Sequence, residues 1–429
     1  MMRRSTRRRR RAVARLGTLA LLGALAGPGI KVGSAGAAFP GINGKIACAS
    51  NRPGQFDLFT FDPNGPEQNV TNISNTPNST EGRPRYRSDG RKIVFESNRD
   101  GGSDLYIADA DGSNVQRLTF TGDATSGAWH PDGSQIVYQR SIPGLSFEVY
   151  KVNIDGTGVT PLASTPQEDS LPFWSPDGTV IAFSSRRTDP TADVHLMSSF
   201  GTNVVDITNN PGEDSWPNWS PDGTKIAFHS RRDDPTGEEI YRMNADGSNV
   251  VRLTFQVGPL DIFPFWSPDG TRIGWNSAGF GAANFGEIFH MNAANGSDVV
   301  RVTNDPAIDQ RCDWQPLCTV YGSGDVTGTA GNDIICGSEG NDRISGGGGN
   351  DIIYGFGGDD QISGGDGDDR IFGGLGADST VGGGGADFTS GGPGNDRIIA
   401  DAGERLDVGA GTNACAIGGV AVPCPAPLS

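Results

Sequence analysis

Between Phe39 and Leu317 short apolar runs alternate with polar positions at the two-residue period of β-strands, and no stretch carries convincing helical spacing. Lys225-Ile226-Ala227-Phe228 and Glu239-Ile240-Tyr241-Arg242-Met243 are typical, the first following a Pro-Asp-Gly turn and the second preceding an Asp-Gly turn at Asp246-Gly247. The turn phrase recurs as Trp174-Ser-Pro-Asp-Gly178, Trp219-Ser-Pro-Asp-Gly223 and Trp266-Ser-Pro-Asp-Gly270, and more weakly as Trp129-His-Pro-Asp-Gly133 and Tyr86-Arg-Ser-Asp-Gly90. A trace remains at Asn43-Gly44, and successive turn glycines lie 46, 43, 45, 45 and 47 residues apart. That period predicts one four-stranded blade per repeat and six blades in all. Repeat one lacks its Trp-bearing strand, while an orphan copy, Arg311-Cys312-Asp313-Trp314, follows repeat six. The C-terminal strand is therefore expected to complete blade one, closing the ring and removing free sheet edges.

From Gly328 the pattern changes to nonapeptides: GTAGNDIIC, GSEGNDRIS, GGGGNDIIY, GFGGDDQIS, GGDGDDRIF, GGLGADSTV, GGGGADFTS and GGPGNDRII. Gly holds positions one and four in all eight copies, and position eight is Ile except at Thr380 and Thr389. Position six is Asp throughout, at Asp333, Asp342, Asp351, Asp360, Asp369, Asp378, Asp387 and Asp396. A glycine-rich turn followed by a three-residue strand makes half a coil, so two repeats close one coil and position eight points into a thin core. Carboxylates two repeats apart then stack roughly 5 Å from each other. Such columns repel unless a cation sits between them, and carboxylates with turn carbonyls form the all-oxygen shell that Ca²⁺ prefers.

The body resembles the TolB-type propeller family, whose repeats carry Trp-Ser-Pro-Asp-Gly, then Ile-Ala-Phe, then Ile-Tyr; the resemblance covers residues 39–317. It implies the fold and leaves function open, since related propellers are protein docking platforms, sugar-polymer lyases and accessory domains of peptidases. The tail resembles the RTX, or haemolysin-type, calcium-binding repeat family over residues 328–399, with degenerate continuation to about Ala410. That likeness implies that the eight aspartates are the metal ligands, with up to six internal Ca²⁺ sites and weaker ones at the Thr-bearing repeats. Many members of that family leave the cell without an N-terminal signal, which this chain departs from, and the toxin or protease activity found beside such repeats is not carried over.

Composition adjusts this picture at three points. Residues 1–38 read as an export signal, with Arg3, Arg4 and Arg7–Arg11, an apolar run Leu16–Ala26 too short for a permanent membrane span, and small residues at 35–38. Removing them, with nine basic and no acidic residues, takes the formal charge from −17 to −26. So acidic a chain is unsuited to nucleic acid or anionic lipid and suited to cations. All six cysteines remain, an even number in an exported chain, so disulfides are expected. Aligning repeat one with repeat five brings Cys48 and Cys312 across one hairpin, whether its loop has two residues or is a type I turn with a glycine bulge. Cys318 and Cys336 are 18 residues apart, one coil, which leaves Cys415 to pair with Cys424.

The expected fold class is all-β: signal 1–38, six-bladed propeller 39–317, parallel β-roll 318–410 and a disulfide-closed tail 411–429. Asp57, Asp104, Glu148, Asp193, Glu239 and Glu287 recur before the second apolar strand, with Arg52, Arg99, Arg186 and Arg231 upstream; six equivalent copies read as ion pairing within each blade. Asp109-Ala-Asp-Gly-Ser113 and Asn244-Ala-Asp-Gly-Ser248 lack the twelfth-position Glu of a calcium loop and read as turns. No zinc motif, Gly-x-Ser-x-Gly elbow or His-Glu-x-x-His motif is present. The leading expectation is an extracellular or cell-envelope, non-catalytic calcium-binding protein whose propeller face takes a protein or glycan. A lyase or hydrolase would instead need His130, His195, His229 or His290 gathered with carboxylates at one channel mouth. A TolB-like role in envelope assembly or uptake would need a periplasmic partner, and the additional N-terminal domain of TolB has no counterpart before the repeats.

Overall fold

A computed structural model describes residues 41–425 except 65–68, 145, 164, 189, 234–235, 256–259 and 278–285, so the expected export signal and cleavage site lie outside the described residues. Every regular element within them is a β-strand. Six antiparallel sheets of four strands are followed by two parallel sheets, a six-bladed propeller and a β-solenoid. Blade one contains Ile42–Ser50, Asp57–Phe61 and Thr71–Asn72, and Asp309–Leu317 pairs with Ile42–Ser50 as its innermost strand. The ring thus closes between the two ends of the repeat array, as the orphan strand predicts. Cys48 is disulfide-bonded to Cys312 across this seam.

Each Pro-Asp-Gly phrase is a type I turn rather than a two-residue loop. In blade five Gly223 N donates to Ser220 O, and the Asp222 carboxylate accepts from the hydroxyls of Ser220 and Thr224 and from Thr224 N. The aromatic before the turn is buried in every blade, as Tyr86, Trp129, Trp174, Trp219, Trp266 and Trp314, and wedges the blades apart. Trp129 Nε1 reaches Arg85 O and Trp266 Nε1 reaches Asn218 O, each one blade upstream. Every innermost strand also has a register shift around a residue with positive φ: Arg83, Ser126, Leu171, Trp216, Phe263 and Arg311. Four of these precede proline, which lacks the amide that a regular ladder would need at the bulge. Arg83 of blade two lies over the Trp216 ring of blade five at 5.6 Å, across the propeller axis, so side chains fill the channel at this level.

The blade ion pairs are rearranged relative to expectation. Arg52 and Arg99 pair with Asp309 and Glu81, the first residues of innermost strands, instead of Asp57 and Asp104. The equivalent partners in blades four and five are Arg187 with Asp169 and Arg232 with Asp214, one residue beyond Arg186 and Arg231. Asp104, Glu239 and Glu287 pair instead with Arg117, Arg252 and Arg301 of the outermost strands. The register accounts for it: Ser50, Ser97, Ser185 and Ser230 stand opposite Asp309, Glu81, Asp169 and Asp214, and each arginine lies two residues beyond that serine.

In the solenoid the strands from Asp325–Thr327 to Arg397–Ala400 pair 18 residues apart, for example Ile335 with Ile353 and Ile353 with Ile371, whereas Phe388 pairs with Arg405 and Arg397 with Ala414 at 17. Val326, Ile335, Ile344, Ile353, Ile362 and Ile371 form its thin core. Cys318–Cys336 ties the first coil. The coils continue past the regular period through Arg405–Asp407 and Ala414–Ile417. Val420–Val422 folds back antiparallel on Ala414–Ile417, blunting the last edge, and Cys415–Cys424 holds it there.

Candidate metal centre

The position-six aspartates form two columns at the turns between the parallel sheets, one running through residues 333, 351, 369 and 387 and the other through 342, 360, 378 and 396. Along each column one carboxylate oxygen is committed to the backbone of the preceding coil. Asp333 N donates to Asp351 Oδ1, Asp351 N to Asp369 Oδ1 and Asp369 N to Asp387 Oδ1, each at 2.8 Å. Asp342 N, Asp360 N and Asp378 N repeat this towards Asp360, Asp378 and Asp396 at 2.8, 2.9 and 3.0 Å. These bonds set the 18-residue register, and they leave the second oxygen over.

That second oxygen is buried without a donor in Asp351, Asp360, Asp369, Asp378, Asp387 and Asp396. It lies over the bare Cα of the repeat's first glycine: a Cβ on Gly346, Gly355, Gly364 or Gly373 would collide with both the carboxylate and the carbonyl of the glycine one coil on. The missing side chain therefore makes a cradle lined by a carboxylate oxygen and a backbone carbonyl, repeated coil after coil. A buried carboxylate oxygen without a donor is costly, and a bound cation is its natural partner. Burial pushes Asp360 and Asp378 up to about 7 and Asp369 and Asp396 up to about 6, and in Asp360, Asp369 and Asp378 the column neighbours' charges add to it. Asp351 and Asp387 are raised in the same way. An all-oxygen donor set with anionic members and flexible glycine carbonyls fits a hard divalent cation of the size of Ca²⁺.

Asp333 and Asp342 differ. Thr329 donates to Asp333 Oδ2 through its amide and hydroxyl at 2.6 and 2.7 Å, and Ser338 does the same to Asp342 Oδ2 at 2.6 and 2.9 Å. Both residues hold position two, where most later repeats have glycine, so the hydroxyls were a readable signal in GTAGND and GSEGND. The structure also adds a carboxylate that the nine-residue count missed. Arg405 stands beside Phe388, which places Glu404 in the rung after Asp387. Both Glu404 oxygens are buried without a donor, and burial raises its pKa, with the Asp387 and Asp401 charges adding. A one-residue shortening of the ninth repeat hid it. Asn413 takes the tenth rung, its Oδ1 accepting from Asp396 N at 2.7 Å. The first column opens on a cleft of about 800 Å³ whose walls include Asp351, Asp369 and Asp387 on one side and Asp177, Asp222 and Asp269 on the other.

The four histidines stay apart. His130 bonds Asp132 beside the turn of blade three, whereas His195, His229 and His290 lie buried within blades four, five and six. No group of three or more His, Cys, Asp or Glu residues with metal-binding geometry occurs among the described residues. Each cradle instead offers one carboxylate per coil plus backbone carbonyls.

The family model of the TolB beta propeller domain matches residues 31–189 and 167–273, more than half of the chain. This chain belongs to that family. The model of the RTX calcium-binding nonapeptide repeat matches residues 327–355, 354–389 and 381–404, the stretch that carries both carboxylate columns. Among curated relatives, the Tol-Pal system protein TolB of Anaeromyxobacter dehalogenans (strain 2CP-C) is 32% identical over 134 residues, 31% of this chain and 30% of that protein. The TolB of Anaeromyxobacter sp. (strain K) matches to the same extent, so this chain spans under a third of the length of these relatives. Among solved structures, TolB from Acinetobacter baumannii superposes with a TM-score of 0.54 at 19% identity, over 64% of this chain and 67% of that one. Kuenenia stuttgartiensis hydrazine synthase does so with a TM-score of 0.53 at 17% identity, over 64% and 47%. At these identities the likeness shows the propeller fold alone. No helix among the described residues is long and apolar enough to cross a membrane.

Proposed function

We propose that this TolB-like protein is an exported, non-catalytic calcium-binding protein of the cell envelope or extracellular space, organised as signal 1–38, propeller 39–317, roll 318–410 and tail 411–429. The roll folds and stiffens on Ca²⁺, and the propeller is a platform for a protein or glycan. The six buried Asp oxygens without donors, each facing a glycine cradle, carry the calcium reading. Asp351, Asp360, Asp369, Asp378, Asp387 and Asp396 are the ligands with an open oxygen, Glu404 extends the first column, and Asp333 and Asp342 anchor the first coil. Residues 319–429 hold sixteen acidic and four basic side chains, so the apo tail repels itself and cation binding supplies folding free energy. Three disulfides support export, because such bonds persist in oxidising compartments. The dispersed histidines give the lyase or hydrolase alternative no assembled site, and the TolB relatives support an envelope setting.

The test is calorimetric titration of the oxidised mature chain with Ca²⁺ and, separately, Mg²⁺, with circular dichroism in parallel. Several ions bound at roughly 10⁻⁴ to 10⁻³ M free Ca²⁺, with a gain of β signal that Mg²⁺ does not reproduce, is the expected result. No heat and no spectral change with Ca²⁺ would sink the reading.

A further inference from the structure

The two faces of the roll differ. In the sheet containing Ile334–Cys336, Ile352–Gly357, Arg370–Leu375 and Phe388–Ser390, the outward positions seven and nine include Ile352, Tyr354, Phe372 and Phe388. The corresponding positions of the second sheet are Arg343 and Ser345, Gln361 and Ser363, Ser379 and Val381. Outward-pointing aromatics on a two-sheet solenoid should be wet, yet Tyr354 and Phe372 are 0% exposed. The propeller's Pro-Asp-Gly face covers them. Arg370 donates to Pro176 O at 2.5 Å, Arg405 lies 3.6 Å from Asp177, and Arg87 pairs with Glu339 of the second repeat.

One residue joins this contact to the metal turns. Phe356 holds position two of the fourth repeat, where Gly347, Gly365, Gly374, Gly383 and Gly392 all have positive φ. Phe356 takes the same left-handed conformation, at φ 75°, which side chains avoid unless their surroundings hold them there. Its ring stacks on Tyr354, lies 4.2 Å from the Arg87 guanidinium and packs against Gly133. The turn that carries Asp360 is thus the element that aims Phe356 into the propeller.

We propose that the roll is a calcium-conditioned lid on the propeller: calcium orders its turns, Phe356 docks on Arg87, and the Pro-Asp-Gly mouth of the channel is closed. Without calcium the acidic tail loosens and that mouth is uncovered. Only two residues separate Leu317, the end of the closing strand, from Val320, the start of the first roll strand, so a released lid remains at high effective concentration and closure is readily reversible. The inference rests on the calcium reading proposed above.

Hydrogen exchange of the full oxidised chain, in EGTA and in millimolar Ca²⁺, tests it together with Phe356→Gly and Arg87→Ala. In the wild type, peptides covering residues 129–134 and 174–178 should exchange about tenfold more slowly with Ca²⁺ than in EGTA, a local opening being suppressed. Phe356→Gly restores the residue of the neighbouring repeats, so it should keep the calcium-induced β signal and lose that protection. Arg87→Ala changes no residue of the roll, removes its contacts with Phe356 and Glu339, and should behave alike, with a propeller melt confirming that the blade survives loss of the Arg87–Asp89 pair. Equal protection of these turns with and without calcium, or full protection in both variants, would overturn the lid. Loss of the β signal in Phe356→Gly would assign that residue to roll folding and overturn its docking role. A wild type without any calcium-induced β signal would fail the functional reading itself.

Discussion

At the residue scale, two kinds of buried carboxylate respond differently to solution conditions. In the columns, an Asp with an open oxygen should matter more to the metal than one already satisfied. Asp378→Asn is expected to raise the half-saturating Ca²⁺ concentration about tenfold or more, while Asp342→Asn, whose oxygens are held by Ser338 and Gly324, shifts it little. Calcium titrations of both variants check this, and equal effects would refute the division. In the propeller, burial pushes Asp309 up to about 7 and Asp214, Asp261 and Asp313 up to about 6. Because their unfolded values are lower, near 3.9, the folded state holds extra protons between about pH 4 and 7, so this stabilisation is full below about 4 and is lost as pH rises from there to 6 or 7. Burial lowers His229 to about 4 and also lowers His195 and His290, so below about 6.5 the unfolded chain takes up more protons at these residues and their contribution falls with pH, against that of the carboxylates. The two sets oppose each other below about pH 6, so the clean readout is a difference: the wild type should lose melting temperature relative to Asp309→Asn as pH rises from about 4 to 7. A difference in melting temperature between the two that stays constant over that range would contradict this assignment.

At the scale of elements, the strands were legible where one residue type is forced at a fixed spacing. The Pro-Asp-Gly glycines at positive φ gave the blades, and the buried isoleucine at position eight gave the coil. What the sequence hid lies where spacing slips or where repeats must be compared in alternation. Glu404 follows an eight-residue repeat, and the apolar face containing Tyr354 and Phe372 emerges only when odd repeats are set beside even ones. The blade ion pairs were misassigned because sequence proximity favoured Asp104 over Glu81 for Arg99, although the hairpin brings Glu81 nearer. Thr380 and Thr389 interrupt the isoleucine stack, are 0% exposed, and bury hydroxyls without partners. A buried, unsatisfied hydroxyl costs about 1–3 kcal/mol, so Thr380→Val should stabilise the calcium-bound roll by about 1 kcal/mol in chelator-dependent unfolding. A destabilised variant would mean that the hydroxyl has a partner in solution.

At the scale of the whole molecule, the ring and the roll are held by different means, and their denaturation should separate accordingly. The propeller's closure joins strands 264 residues apart through Cys48–Cys312, and removing that cross-link returns a large loop entropy to the unfolded chain. The roll has a thin isoleucine core and a dense set of like charges, so its stability is conditional on the cation. In EGTA, differential scanning calorimetry should show a weak or absent roll transition beside an intact propeller transition. Raising Ca²⁺ to a hundred times the dissociation constant adds about 2.7 kcal/mol per independent site to the roll, which carries its transition upward, while the propeller's moves only through the shared interface. Cys48→Ala with Cys312→Ala should do the reverse, lowering the propeller transition, by several kcal/mol on the loop-entropy argument, and leaving the calcium dependence of the roll in place. If both perturbations instead move a single transition, the propeller and roll unfold as one cooperative unit, and the contact through Phe356, Arg370 and Arg405 is strong enough to make calcium a stabiliser of the entire protein.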